Sequence, residues 1–338
     1  MKLDILIFVL CFLLVVGLTF VFKAYAHRKQ LIDIPNERSS HVTPTPRGGG
    51  ISIVLVFLCF ISVLFFQERL SFDSFVSLLI GGSLVASVGF WDDHQHIPAR
   101  YRLLFHLLAA GVALFLLSAF PVIPLVFFDL ELGWLGYPVL TIALVWLLNL
   151  FNFMDGIDGI ASVEAVSVAG GGALILLFQA QYEWAFLFMG LVVSVCGFLV
   201  WNWPPASIFM GDACSGFLGF VLGLLAITTS ATTDMSIWSW VILCGVFVVD
   251  ATVTLIRRML RGEVWCEAHR SHGYQILSRR WESHRRVTLA VSAVNGIWLL
   301  PLAFVANYFP LYGVLLFFVA ITPLMVLDYS IGAGVDNG

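Results

Sequence analysis

The chain has 338 residues, 60% of them hydrophobic and 11% charged, with a mean hydropathy of +0.97 and a formal net charge of −4. Soluble domains run at about 45–50% apolar and about 25% charged, so these proportions exclude a soluble globular domain and a disordered chain and leave an integral membrane protein. The net charge says little by itself, because in a membrane protein its distribution matters more than its sum; no nucleic-acid partner is expected.

In chain order, apolar stretches of about 17–21 residues, enough to cross about 30 Å of hydrocarbon, run at 3–22, 49–66, 73–91, 102–120, 136–153, 160–179, 184–203, 214–233, 237–256, 287–306 and 310–328. The first is long enough to span and has no small-residue cleavage site before Lys23, so it reads as a span and not as a signal peptide. The fifth is the least defined, because Asn149 and Asn152 sit inside it and Pro138 is able to delay its start. The longest polar stretches, 23–47 and 257–286, are too short to build a core of their own. The fold class expected is therefore all-α: a polytopic membrane helical bundle of about eleven transmembrane helices, one domain over residues 1–338. Cysteines at 11, 59, 196, 214, 244 and 266 show no CxxC and no metal-ligand spacing, so no disulfide framework is expected.

Alternating the faces of these spans puts 23–48, 92–101, 154–159, 204–213 and 257–286 on one side. All the Lys and Arg residues except Lys2 and Arg69 then fall on that side or, for Arg102, at its boundary. By the positive-inside rule that side is the cytoplasm and the N-terminus lies outside. The same parity gathers every unusual polar motif on one face: Asp33–His41, Pro44–Gly50, Asp92-Asp93, Asn149–Asp158, Phe209–Asp212 and His269–His272. One cytoplasmic site assembled from loops is expected.

Residue types suggest its chemistry. Arg47 precedes three glycines that open the second span, so free backbone N–H groups and a guanidinium would converge as a phosphate seat; the plain alternative is a topogenic charge beside a flexible turn. Asp92 and Asp93, adjacent like charges at a membrane face, call for a divalent metal or a cationic partner. Asn149, Asn152, Asp155 and Asp158 step by three, which at helical spacing puts four oxygen donors on roughly one face. Hard oxygen donors suit magnesium, which takes one or two protein groups and completes its shell with water and phosphate. Asp212, in a Met-Gly-Asp turn, is placed to supply a ligand from across the site or to cap the eighth span. Asp250 reads equally as a buried ion pair with Arg257 or another helix and as a catalytic group. His269 and His272, beside Arg270, are candidates for phosphate contact, whereas Arg279 to Arg286 read as inner-leaflet anchors.

Taken together, Asp33–His41, Pro44–Gly50, Asp92-Asp93, Asn149–Gly159, Pro205–Asp212 and His269–His272 resemble, in order and spacing over nearly the whole chain, the polyprenyl-phosphate N-acetylhexosamine-1-phosphate transferase superfamily, also called glycosyltransferase family 4. The loop Glu267–Gln275 departs from the triple-histidine pattern of the peptidoglycan branch and is similar to the O-antigen-initiating, WbpL-like branch. The resemblance implies an enzyme of the bacterial inner membrane that transfers an N-acetylhexosamine 1-phosphate of N-acetylfucosamine, N-acetylquinovosamine or N-acetylglucosamine type from a UDP-sugar to undecaprenyl phosphate and releases UMP. It implies Mg2+ as cofactor, with Mn2+ as the alternative, held by Asp212 and Asn152. Asp155, Gly156, Ile157 and Asp158 would line the uridine pocket, with Phe209 stacked on uracil. Asp92 would be the candidate base beside Asp93, while His269, Arg270 and His272 would engage diphosphate or sugar. UDP-N-acetylhexosamine, undecaprenyl phosphate and the bilayer are the partners implied, with a homodimer as one candidate assembly. An acceptor phosphate with a second pKa near about 6 is already ionised at pH 7, so Asp92 also reads as a positioning group or a covalent nucleophile. The competing class is a multispan transporter with an intramembrane carboxylate site, whose internal repeat the sequence does not show.

Overall fold

Each of the eleven apolar runs folds as helix, because a backbone in hydrocarbon has no water to satisfy its N–H and C=O groups and must pair them within the segment. A computed structural model of the protein describes residues 2–35, 40–41, 43–95, 97–117, 119–263 and 270–335. The helices are α1 (Lys2–Lys29), α2 (Ile51–Phe66), α3 (Phe72–His94), α4 (Ala99–Phe115), α5 (Gly136–Met154), α6 (Ile160–Phe178), α7 (Tyr182–Asn202), α8 (Asp212–Thr232), α9 (Ile237–Leu243), α10 (Gly245–Leu260), α11 (Gly273–Trp281), α12 (His284–Ala293), α13 (Leu300–Tyr308) and α14 (Gly313–Ile331). A π-helical turn, Val294–Leu299, joins α12 to α13. Two short antiparallel pairs complete the description: β1 (Ile32–Asp33) with β2 (Thr45–Pro46), in register Ile32 to Pro46, and β3 (Ile123–Pro124) with β4 (Asp129–Leu130).

The chain is an all-α, multi-pass membrane protein. The count of eleven equal spans needs correction. Among the described residues, eight helices are long and apolar enough to cross a membrane, counting α12 to α13 as one. The ninth run is broken into α9 and α10, which meet at 70° and would make a ninth span if taken together. The second and fourth runs give helices of 16 and 17 residues, short of the roughly 20 that a full crossing takes. Pro138 does not delay α5; it sits in the first turn, where a missing N–H costs nothing.

The centre of the bundle is α8, buried without interruption from Ala213 to Thr229, as a helix apolar on all sides must be. Helices α3 and α5 flank it, and α6 packs on α7. Gly89 sets how closely α3 approaches α8, since a Cβ there would collide with the main chain of Asp212 and Ala213. That contact brings the carboxyl end of α3 against the amino end of α8. In the loop opposite, Arg69 is bonded to Asp4 and Glu183, tying the ends of α1 and α7 to the α2–α3 turn.

Candidate active site

Asp93 and Asp212 meet where α3 ends and α8 begins. Both carboxylate oxygens of Asp93 accept from the free end of α8, from Asp212 N at 3.0 Å and Ala213 N at 3.2 Å. A carboxylate is favoured there because the first N–H groups of a helix have no internal partner. Gly211, at φ +83°, turns the chain into α8, and a side chain at this position would crowd Asp93 and the main chain of Gly48. Asp92 is buried behind the pair: its Oδ1 accepts from Ile97 N at 2.7 Å, and its Oδ2 is paired with Arg102. The same guanidinium nitrogen of Arg102 lies 3.5 Å from Asp212 Oδ2. Arg102, met in the sequence only as a boundary charge, is thus a cation beside Asp92 and Asp212.

A cavity of about 450 Å³ opens in front of these groups, and among the described residues Asp33, His41, Arg47, Asp93, Asp155, Gly156, Ile157, Asp158, Asn202, Phe209, Asp212, Gln275 and His284 line it. The single-site expectation therefore holds for most of the motifs. A second cavity of about 620 Å³ adjoins it, sharing Ser40, His41, Asp158, Phe209 and His284 and bounded on its far side by Arg279 and Arg285.

Several expectations are corrected. Two of the three glycines after Arg47 have no N–H to offer a phosphate, since Gly49 N donates to the Phe209 carbonyl at 3.0 Å and Gly50 N to the Met210 carbonyl at 2.9 Å. Side chains at these two positions would clash with Ile208, Met210 and Cys214, so the glycines serve close packing. Arg47 itself faces the cavity and donates to the Asp93 carbonyl at 2.8 Å. Nor do Asn149, Asn152, Asp155 and Asp158 share one helix face, because α5 ends at Met154. Asn149 turns away and donates to the Val145 carbonyl. Asn152 does point inward, donating to Asp212 Oδ1 at 2.9 Å and Ser215 Oγ at 3.0 Å. Asp155 and Asp158 lie in the loop that follows.

Burial, reinforced by the negative charge of Asp212, Asp93 and Asp158, pushes the Asp155 carboxyl well above the usual carboxylate range. Asp158 knits the loop to its surroundings: Ala206 N donates to its Oδ2 at 3.0 Å, Thr288 Oγ1 donates to its carbonyl, and His284 stands 3.3 Å from Oδ2. Gly156 is required because the Tyr274 hydroxyl, which donates to the Phe153 carbonyl at 3.0 Å, occupies the space of a side chain.

His269 lies outside the described residues. His272 is buried, with Nδ1 3.1 Å from Asp250 Oδ1, and neither it nor Arg270 lines the cavity. Asp250 also accepts from Gly273 N and Tyr274 N, both at 2.9 Å, so it caps α11. Arg257, its expected partner, instead donates to the Tyr329 carbonyl and lies over the Tyr329 ring. Asn202 and His284 were missed. Asn202, whose Oδ1 accepts from Gly159 N and whose Nδ2 donates to the Ile208 carbonyl, carried the same signal as Asn152, a carboxamide closing an apolar run. His284 was hidden among arginines.

The donor set suits a hard divalent cation with few protein ligands. Asp212 offers carboxylate oxygens to a cavity shared with Asp93, Asp155 and Asp158, although among the described residues no group of three or more His, Cys, Asp or Glu is placed to hold a metal ion. Asn152 presents its amide nitrogen to Asp212, and the amide oxygen becomes available by a flip about its last torsion.

A family model described as "Glycosyl transferase family 4" matches residues 75–230. A probable undecaprenyl-phosphate N-acetylglucosaminyl 1-phosphate transferase of Bacillus subtilis is 28% identical over 303 residues, covering 86% of this chain and 82% of that protein. Over residues 75–230 the chain is thus similar to glycosyl transferase family 4, and the relatives it matches are named as polyprenyl-phosphate hexosamine-1-phosphate transferases. A decaprenyl-phosphate N-acetylglucosaminephosphotransferase of Mycobacterium leprae is 27% identical, over 80% of this chain and 76% of its own length. A phospho-N-acetylmuramoyl-pentapeptide-transferase of Halalkalibacterium halodurans is 29% identical over 63% of this chain and 68% of its own. The region matched by the family model runs from within α3 to within α8 and contains Asp92, Asp93, Asn152, Asp155, Asp158, Phe209 and Asp212; Arg47 and His269–His272 fall outside it.

Proposed function

We propose that the protein transfers an N-acetylhexosamine 1-phosphate from a UDP-sugar to a polyprenyl phosphate of the undecaprenyl type, releasing UMP, at the cytoplasmic face of a bacterial inner membrane. The observation that carries this reading is the single cavity in which Asp212, Asp155 and Asp158 face Arg47, with Arg102 at its back, at the end of the bundle where the basic residues gather. Such a site suits two anionic phosphates that must be brought together against their repulsion. The names of the relatives from Bacillus subtilis and Mycobacterium leprae support N-acetylglucosamine as the first sugar to test. N-acetylfucosamine and N-acetylquinovosamine remain the alternatives, and initiation of O-antigen is the pathway proposed.

The chemistry is an in-line attack of an acceptor phosphate oxygen on the β-phosphorus of the donor. The new P–O bond forms as the bond from the β-phosphorus to the bridging oxygen breaks, and UMP leaves with that oxygen. Magnesium, held at Asp212 and Asn152 when bound, would supply charge neutralisation for the diphosphate. Arg47 faces the same cavity and screens phosphate charge. Arg102 pairs with Asp92, and the Asp92 side chain also meets that of Asp212, which favours a positioning role for Asp92 over a base. Phe209, edge-on to His41 with ring centroids 4.9 Å apart, offers a flat apolar surface for the base, and Gly156–Asp158 wall the pocket beside it.

The test is a panel of UDP-N-acetylhexosamines incubated with undecaprenyl phosphate and the protein in detergent. UMP is expected from at least one of them only when acceptor and divalent cation are both present. UMP formation from none of the panel would overturn the proposal.

A further inference from the structure

His284, the first residue of α12, forms part of the wall between the two cavities and makes three contacts to two separate segments. Its Nε2 lies 3.1 Å from the Ser40 carbonyl, its Nδ1 lies 3.3 Å from Asp158 Oδ2, and Asp158 N reaches the same Nδ1 at 3.4 Å. A carbonyl only accepts, so Nε2 carries a hydrogen and Nδ1 is committed to Asp158. When neutral, Nδ1 accepts from the Asp158 amide. When charged, it donates to the Asp158 carboxylate. In both states the ring fixes Asp158 relative to the chain at Ser40, which shares both cavities with it. Ala206 N holds the same Oδ2 from the other side, and Thr288, one turn along α12, holds the Asp158 carbonyl.

We infer that His284 is a positioning residue for donor recognition: by holding Asp158 from α12 it sets the shape of the nucleotide end of the cavity, and the affinity for the UDP-sugar depends on it. This rests on the proposed function, in which Asp158 lines the nucleoside pocket. The phosphate-bearing end at Asp212 is built by other residues, so the loss falls on donor binding and not on the acceptor.

The two readings fail separately. Calorimetric titration of the wild-type protein in detergent with UMP is expected to show binding; no binding would sink the proposed function itself. With binding established, His284→Ala is expected to weaken UMP affinity and raise KM for the UDP-sugar about tenfold, as for loss of a hydrogen bond to a charged group, with kcat and the KM for polyprenyl phosphate little changed. His284→Asn, whose amide occupies the place of Nδ1, is expected to restore part of the affinity. His284→Gln, whose amide occupies the place of Nε2 and reaches Ser40, is expected to restore folding if the alanine variant is unstable, but not affinity. In a background of Asp158→Asn, His284→Ala should add little. UMP affinity and donor KM unchanged in His284→Gln, or a loss confined to the lipid acceptor, would overturn the inference.

Discussion

At the scale of single residues, the two carboxylates that meet at the head of α8 do different work, and the difference is measurable. Asp93 spends both oxygens on the N–H groups of Asp212 and Ala213, so its contribution lies first in structure. Asp212 keeps a face to the cavity and bonds Asn152, so its contribution lies in chemistry. Asp93→Ala is expected to lower stability by about 1–3 kcal/mol, the cost of leaving buried donors unpaired, and to lose activity with it. Asp212→Asn is expected to reduce turnover by about 100-fold or more, the scale of removing a group that acts on transition-state charge, while its thermal unfolding in detergent stays close to wild type. A turnover near wild type in Asp212→Asn would remove it from the chemistry, and an Asp93→Ala protein as stable as wild type would remove the cap. Both residues were legible in the sequence as acids at the ends of apolar runs, where lipid tolerates none without cause. Their division of labour was not, because it depends on a contact between positions more than a hundred residues apart.

At the scale of elements, a buried polar contact joins α6 to the π-helical turn beside the broken segment α9–α10. Glu164 on α6 accepts from Asn295 Nδ2 at 2.6 Å within the π-helical turn, and both residues are buried. The main chain of Phe247, near the start of α10, approaches the same carboxyl group. Two polar groups that hold each other where water is excluded are costly to separate. Glu164→Leu, which orphans the Asn295 amide, is expected to cost about 1–3 kcal/mol, and Glu164→Gln, which keeps an acceptor, distinctly less. Equal melting of the two variants in detergent would contradict a hydrogen-bonding role for Glu164. Hydropathy located the apolar helices but not α11, which lies in the stretch 257–286 read as polar, since a run of apolar residues is a local property. It overlooked the break at Cys244 and the shortness of α2 and α4, because a bend between two apolar helices leaves the composition of the run unchanged. It also read the three glycines after Arg47 as a cradle for a ligand, when the N–H groups of Gly49 and Gly50 are taken by Phe209 and Met210; which partner claims an N–H is decided by tertiary contact.

At the scale of the whole molecule, the distribution of charge and the position of the cavity agree: the helix ends that carry the Arg and Lys residues are the ends that build the site, and Arg69 at the opposite end is bonded to Asp4 and Glu183. Single cysteines introduced near Asp93, Ser207 and Arg279 are therefore expected to be shielded from an impermeant thiol reagent applied to intact cells, and cysteines near Arg69 or Tyr182 to react. Labelling from outside near Asp93 would invert the proposed orientation. The order of the acidic motifs along the chain was enough to suggest the family, whereas Arg270 and His272, read as contacts for diphosphate or sugar, do not line the cavity. The central claim is that a sugar phosphate, not a bare sugar, is handed to the lipid, and one labelling measurement decides it. UDP-N-acetylglucosamine, or whichever UDP-sugar the panel selects, carrying isotope in the β-phosphate, is incubated with polyprenyl phosphate, magnesium and the protein. The label is expected in the lipid fraction, with UMP released unlabelled in equal amount; label retained in released UDP, with the sugar alone on the lipid, would contradict the account.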